Sequence, residues 1–392
     1  CKESKGMTWN GDVRAAFLAQ KLLLSFVGVW PVKSRDCFMD LRWTLSFIRF
    51  LCKFGPMMAH FMEVYLHCNG VKESFDSLTS GSGAALALTR LIVYRVYREE
   101  LLTVISTVID DWSTKRHEKE QAIMKKYLRI SVRVTKFMCA WITIIIGVYS
   151  YQAVLIITSN KNTNNLGQNN TLFEYETSSS CIFHSASTQK LFAILETIQV
   201  CITTILTLGV TSFFFGLVMH LCGQLDVLGD SITNSSEDTG LMITRVVKRH
   251  YHLIEQVKNL DDSFRTSLLA YVFITGLVVY FLVICALHDK LPGEVVNHLL
   301  ISLAMLVQLS FYTVAGDYLE DRSLQLSYSV YAHDWYNLPP RTVKDLQLIL
   351  QRTGIPHELT AGKIMPMNMI TMKQILMTTA SYLSVLRVLI DE

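Results

Sequence analysis

Two adjacent carboxylate pairs, Asp110-Asp111 and Asp261-Asp262, are the first candidates for general acid–base chemistry. Neighbours in sequence point to different faces of a helix, so each pair reads as solvated charge rather than a couple sharing a proton. Nine cysteines include no Cys-x-x-Cys pair and no His/Cys cluster at metal-ligand spacing. Gly81-Ser82-Gly83 reads as a small-residue helix contact at a helix start, not a phosphate cradle, and no nucleophile elbow or zinc-protease signature is present. The chain therefore does not read as an enzyme, and no cofactor or metal is implied. What remains is a polar stripe: Gln374, Thr378 and Ser381 recur at i, i+4 and i+7 and share one helix face, which continues to Val385 and Val388. Such a stripe either packs on a neighbouring membrane helix through hydrogen bonds or faces water in a pore. In a pore, Val385 and Leu389, one turn apart, form a closure that works by squeezing out water.

The elements that position these residues are membrane helices. Half of the chain is hydrophobic (51%), 18% is charged and the mean hydropathy is +0.31, whereas a soluble domain carries about 25% charged residues. Residues 137–160, 197–225, 266–288 and 295–316 lack any Asp, Glu, Lys or Arg, and each is long enough to cross a bilayer, which takes about 20 residues. Segments 41–66, 78–96 and 365–390 are weaker, because they carry Arg49 and Lys53, Arg90 and Arg95, and Lys373 and Arg387. Charges near helix ends snorkel to the headgroups; Arg90 is the least easily placed.

Charge bias decides between four spans and seven. With seven spans and the N-terminus inside, 25 Lys and Arg fall in the inner segments up to 43, 95–129, 245–265 and 317–364. Only Lys72, Lys161, Lys190 and Lys290 fall outside. That asymmetry favours seven helices with an inverted topology, the N-terminus cytoplasmic and the C-terminus extracellular. The expected layout is a cytoplasmic segment 1–40, spans one to four over 41–225 with an extracellular loop 159–189, and a cytoplasmic helical extension 226–265. Spans five and six follow over 266–316, then a cytoplasmic anchor segment 317–364 and a pore-lining seventh span over 365–392. The sequon at Asn169 suits the outer loop, and a second at Asn234 falls inside. Cys68 and Cys181, both expected outside, are the pair able to form a disulfide. No cleavable signal peptide is visible, and a chain beginning at Cys1 is expected to have its natural start upstream.

On the inner side, Val246, Val247, Leu253, Ile254, Val257 and Leu260 recur at roughly helical spacing and run straight into span five. Residues 342–351 place Val343, Leu346, Ile349 and Leu350 on one face, started by Pro339-Pro340 and ended by Gly354 and Pro356. These faces are expected to pack on each other, with Trp335 and Tyr336 as large anchors and Trp335 buried.

The string Asp334-Trp335-Tyr336-Asn337-Leu338-Pro339-Pro340, then Thr360-Ala361-Gly362-Lys363, then Ser381-Tyr382-Leu383-Ser384-Val385-Leu386-Arg387 resembles the C-terminal signature of insect odorant receptors. Gly28-Val29-Trp30-Pro31 looks like that family's N-terminal Gly-x-Trp-Pro element. Ala380 stands where Tyr is common, and Leu383 replaces a common Phe; both changes stay apolar. The resemblance implies an all-α membrane protein of seven inverted helices with a helical cytoplasmic anchor region, assembling as a tetrameric cation channel. It implies a pore lined by the seventh helices, with Val385 and Leu389 at the apolar gate and Tyr382 as the aromatic of the signature, which turns the polar stripe towards pore lining. A volatile or cuticular ligand would bind in the outer half of the bundle, in an apolar cavity of roughly 300–1,000 Å³. Its expected neighbours are Tyr149, Gln152, Ala153, Ile198, Ile202, Ser302 and Met305.

Only about 40 residues separate spans four and five, where the family's co-receptor has a long insertion, and the co-receptor's final pattern is absent. The chain thus looks like a ligand-tuning subunit that works with the co-receptor in the plasma membrane of sensory neurons. No nucleic-acid partner is implied. The alternatives are a gustatory receptor of the sister family, whose ending this chain lacks, and a secondary transporter, which needs paired interrupted helices or membrane carboxylates. Glu196, a lone acid at the start of span four, argues against proton-coupled transport, although it could pair with Arg90.

Overall fold

In the computed structural model the described residues are 11–31, 37–52, 71–113, 117–158, 186–233, 239–288 and 292–391. Ten α-helices appear among them: α1 Gly11–Val27, α2 Cys37–Cys52, α3 Val71–Val96, α4 Arg98–Ser113, α5 Glu118–Thr158, α6 Ala186–Thr233, α7 Thr239–His288, α8 Pro292–Tyr331, α9 Pro340–Thr353 and α10 Met369–Asp391. A short 3₁₀ turn, Trp335–Asn337, precedes α9, and a two-stranded hairpin, Thr360–Ala361 with Met365–Pro366, precedes α10.

Stretches long and apolar enough to cross a membrane lie in α5 to α8, over Glu118–Tyr151, Thr197–Thr233, Gly240–Val283 and His298–Asn337. They contain most of the four strongest spans expected from sequence. At 1.5 Å per residue the 50-residue α7 is about 75 Å long, far more than the ~30 Å hydrocarbon core, so it projects well beyond it as expected. Segment 78–96 lies inside α3, and α2 opens segment 41–66, whose remainder from 53 lies outside the described residues. The last span starts later than its hydropathy suggests, because Met365 and Pro366 belong to the hairpin.

Residues 206–225 of α6 are almost all buried except Thr207, and α5, α8, α1, α7 and α3 all pack on this helix. A helix that is apolar all round, as this one is, has to lie at the centre. α1 reaches the same core. Its Gln20 is buried and donates to Thr135 Oγ1 at 2.9 Å and to the Ser212 carbonyl at 3.0 Å. The Gly-x-Trp-Pro element has a local reason: Gly28 ends α1 with φ +84°, and Trp30 then turns inward to meet Phe213 at 5.4 Å between ring centroids.

α9 forms as the prolines dictate, with Pro339 at its N-cap, Pro340 in its first turn and Gly354 at its C-cap. Its buried face is Leu346, Ile349 and Thr353, set against α8 and α7, so the amphipathic faces do find each other. Trp335 departs from expectation: it is 43% exposed and Tyr336 is 69% exposed, because the 3₁₀ turn lies outside the packed faces. Gly81-Ser82-Gly83 lies well inside α3 rather than at its start, and a methyl group added at Gly83 meets nothing within 4 Å.

Candidate functional site

The bundle holds a buried cation that the sequence left without a place. Arg90 of α3 is 1% exposed. Its Nη2 donates to the Tyr312 hydroxyl of α8 at 3.3 Å, and its guanidinium lies 5.1 Å from the ring centroid of Tyr271 in α7. The Thr211 hydroxyl gives its proton to the Thr207 carbonyl at 2.9 Å, so the 2.8 Å bond between Tyr312 and Thr211 has Tyr312 donating. Gln308 Nε2 also donates to Thr211 Oγ1, at 2.8 Å. Tyr312 is thus oriented to receive from Arg90 and give to α6. Tyr271 donates to the Met305 carbonyl at 3.1 Å. Phe214 closes the layer, 5.3 Å from Tyr312 and 4.8 Å from Phe264 between centroids.

Among the described residues, Arg90 Nε and Nη1 have no hydrogen-bond partner. The side chain of Glu196, the partner considered from sequence, lies outside the described residues. Insertion scales put an arginine at mid-membrane at about 2.5–3.5 kcal/mol, and a buried cation needs paired acceptors to offset its lost hydration. One neutral hydroxyl and one ring face offset only part.

Seven residues were expected to line a ligand cavity. Ala153 of α5 and Ser302 of α8 are buried, and Tyr149, Ile202 and Met305 are half-buried. The Gln152 side chain lies outside the described residues. Ile198 is 41% exposed, one turn above Ile202, and so borders the bundle's open side. Ser302 donates to the His298 carbonyl at 2.8 Å, and Met305 is tied to the Arg90 layer through Tyr271. The polar layer therefore lies just below the expected cavity, towards the α9 end.

The last helix is held from one side. Met369 N–H donates to the Asp317 carboxylate of α8 at 3.1 and 3.3 Å, and Asn368 Oδ1 caps Thr371 N–H at 3.0 Å. Gly316 is required there: an added Cβ would lie 1.7 Å from the Met367 carbonyl oxygen. Thr371, Met372 and Ile375 form the side turned to the bundle, whereas Gln374, Thr378 and Ser381 are all exposed. Side chains of Tyr382, Val385 and Leu389 lie outside the described residues.

The Thr-Ala-Gly-Lys string joins this helix to α7. Gly362 and Lys363 have φ of +63° and +60°, and Ile364 N–H bonds the Ala361 carbonyl at 3.0 Å, the geometry of a type I′ turn. Asp261 of α7 accepts from Thr360 N–H at 2.6 Å and from its hydroxyl at 3.0 Å. Asp262 pairs with Arg265 at 2.5 Å and meets Lys363 at 3.9 Å.

Both aspartate pairs therefore correct the solvated-charge reading. Asp111 of α4 is buried, 2.6 Å from Arg249 of α7 and 3.1 Å from His220 of α6, and Arg249 also donates to Gln224 at 2.7 Å. Burial pushes the Asp111 carboxyl up, but bonding to His220 and the Arg249 charge outweigh this and hold it below the ordinary range. His220 and Gln224, four apart in an apolar run, were the readable signal for this cluster. A second tie joins Tyr127 of α5 to Asp226 at 2.5 Å, with Arg322 of α8 3.7 Å from the same carboxylate. Cys68, Cys181, Asn169 and Asn234 lie outside the described residues.

A family model described as 7tm odorant receptor matches residues 70–380. Odorant receptor 10 of Aedes albopictus is 28% identical over 45% of this chain and 49% of its own length. Odorant receptor 22c of Drosophila melanogaster is 22% identical over 45% of this chain and 48% of its own length. The chain thus spans about half the length of the curated relatives it matches. The solved olfactory receptor OR5 of Machilis hrabei superposes with a TM-score of 0.74 at 14% identity, covering 95% of this chain and 98% of that one. The same receptor in complex with eugenol gives 0.71 at 13% identity, covering 97% and 100%. The fold is that of a seven-helix, multi-pass membrane receptor.

Proposed function

Because this chain belongs to the 7tm odorant receptor family, whose members are receptors and not enzymes, we propose that it is a ligand-tuning odorant receptor subunit. It binds a small volatile or cuticular molecule in the half of the bundle remote from α9, and gates a non-selective cation channel together with the olfactory co-receptor. The observation that carries this reading is α10. One face is fastened to α7 and α8, while Gln374, Thr378 and Ser381 on the other are uncovered within the subunit, as a helix lining a shared pore requires. Val385 and Leu389 continue that side and form the apolar gate. The eugenol complex of the Machilis hrabei receptor supports a small apolar ligand inside this fold.

The charge bias supports an N-terminus in the cytoplasm and a C-terminus outside, and the family supports the plasma membrane of sensory neurons as the location. Segments 226–265 and 317–364 are the cytoplasmic anchor, and residues 365–392 carry the pore helix. The exposed Tyr328, Tyr331, Trp335, Tyr336 and Leu348 would be covered by neighbouring subunits of a heterotetramer.

Whole-cell recording from cells expressing this chain with the co-receptor tests the proposal. A volatile panel should evoke inward cation current only when both chains are present. Accumulation of a substrate without current would instead establish a transporter.

A further inference from the structure

We propose that Arg90 is a ligand-recognition residue and that this receptor takes ligands with an apolar body and a carboxylate head. The inference rests on the receptor reading above and adds the chemical class of ligand. Arg90 is 1% exposed and sits at bundle depth on α3, where its guanidinium presents a rigid fork of donors. Of its five N–H donors, the single Nε–H and both on Nη1 have no acceptor among the described residues. No described carboxylate pairs with it.

Its surroundings are a holder rather than a counter-ion. Tyr271 supports the guanidinium from its ring face at 5.1 Å and Tyr312 fixes Nη2 at 3.3 Å. Tyr312 is itself held by Thr211 at 2.8 Å, and Thr211 by Gln308 at 2.8 Å. Tyr271 also reaches the Met305 carbonyl at 3.1 Å, which ties this holder to a residue expected at the ligand cavity. An arginine used only for packing would have its donors satisfied by the protein. Here the missing acceptor is an anion, and a carboxylate matches guanidinium best. An apolar tail would then extend away from the layer towards Ser302 and Ala153.

Melting of the purified full-length receptor, together with currents from cells co-expressing the co-receptor, tests this with octanoate, methyl octanoate and octane as probes. Octanoate should raise the wild-type melting temperature and evoke current at about ten- to hundredfold lower concentration than octane. In Arg90→Met both octanoate effects should vanish while methyl octanoate and octane are unchanged, and Arg90→Lys should restore part of the octanoate response. Ligand-free Arg90→Met should melt no lower than wild type, since it removes an uncompensated cation. An octanoate response that exceeds those of methyl octanoate and octane and is lost in Arg90→Met supports anion recognition. Equal effects of octanoate, methyl octanoate and octane, or octanoate effects that survive in Arg90→Met, overturn the assignment of Arg90 and leave the receptor reading standing. If no volatile evokes current in the wild type, the receptor reading itself fails, and this assignment with it.

Discussion

Asp261 and Thr360 are 99 positions apart in sequence and meet at 2.6 Å, and that separation explains why a signature can be visible while its purpose is not. Gly362 should be intolerant of change. Its φ of +63° costs an L side chain about 1–2 kcal/mol, and an added Cβ would lie 2.5 Å from Leu269 Cδ2. Gly362→Ala should therefore lower the melting temperature of purified receptor by several degrees and reduce evoked current per surface receptor; unchanged melting would show that the turn relaxes freely. A second expectation concerns Tyr149. If the cavity lies where Tyr149, Ala153 and Met305 suggest, Tyr149→Ala should reshuffle the odorant response profile, each methylene of ligand being worth about 1–3 kcal/mol. An identical profile across a panel would move the pocket elsewhere. At this scale sequence showed which residues were odd but not why. Arg90 stood out as a charge in a span, yet its partner Tyr312 is 222 positions away. Asp111 looked solvated because Arg249, its counter-charge, is 138 positions away.

Helices were far more legible than side-chain networks. Charge-free runs located α5 to α8, and Pro339-Pro340 with Gly354 located α9 to within about two residues, since capping and hydropathy act locally. The late start of α10 is not visible in the hydropathy because Met365 and Pro366 are apolar but pair with Ala361 and Thr360 in the hairpin. Between α7 and the segment after α9, His250 and His357 face each other with ring centroids 5.8 Å apart. Burial pushes His250 down to about 4, helped by His357 and Arg352, and burial likewise lowers His357. A base whose folded pKa lies below its unfolded value of about 6.5 binds more protons when unfolded. Its contribution is complete above that pH and is lost as pH falls towards 4. Melting of the purified receptor should thus drop between about pH 7 and 5, and His250→Phe combined with His357→Phe should flatten the drop. A slope unchanged in the double variant would assign the pH dependence to other groups.

Over the whole molecule, α7 and α8 hold α10 by the hairpin, by Asp317 and by Gly316, and the proposal has a ligand among α3 and α5 to α8 act on that helix. The 25-to-4 charge split predicts that an N-terminal tag is stained only after permeabilisation and a C-terminal tag on intact cells; surface staining of the N-terminal tag would overturn the inverted arrangement. Assembly was the least legible level, because the exposure of Trp335, Tyr336 and Leu348 leaves no local pattern in the sequence. The central claim is that ligand opens a pore lined by this chain's own last helix. Cysteine substitutions at Val385 and Leu389, in channels containing this subunit and the co-receptor, test it most directly. Water-soluble thiol reagents should modify both positions only while odorant is present, and equal modification with and without odorant would contradict a gate there.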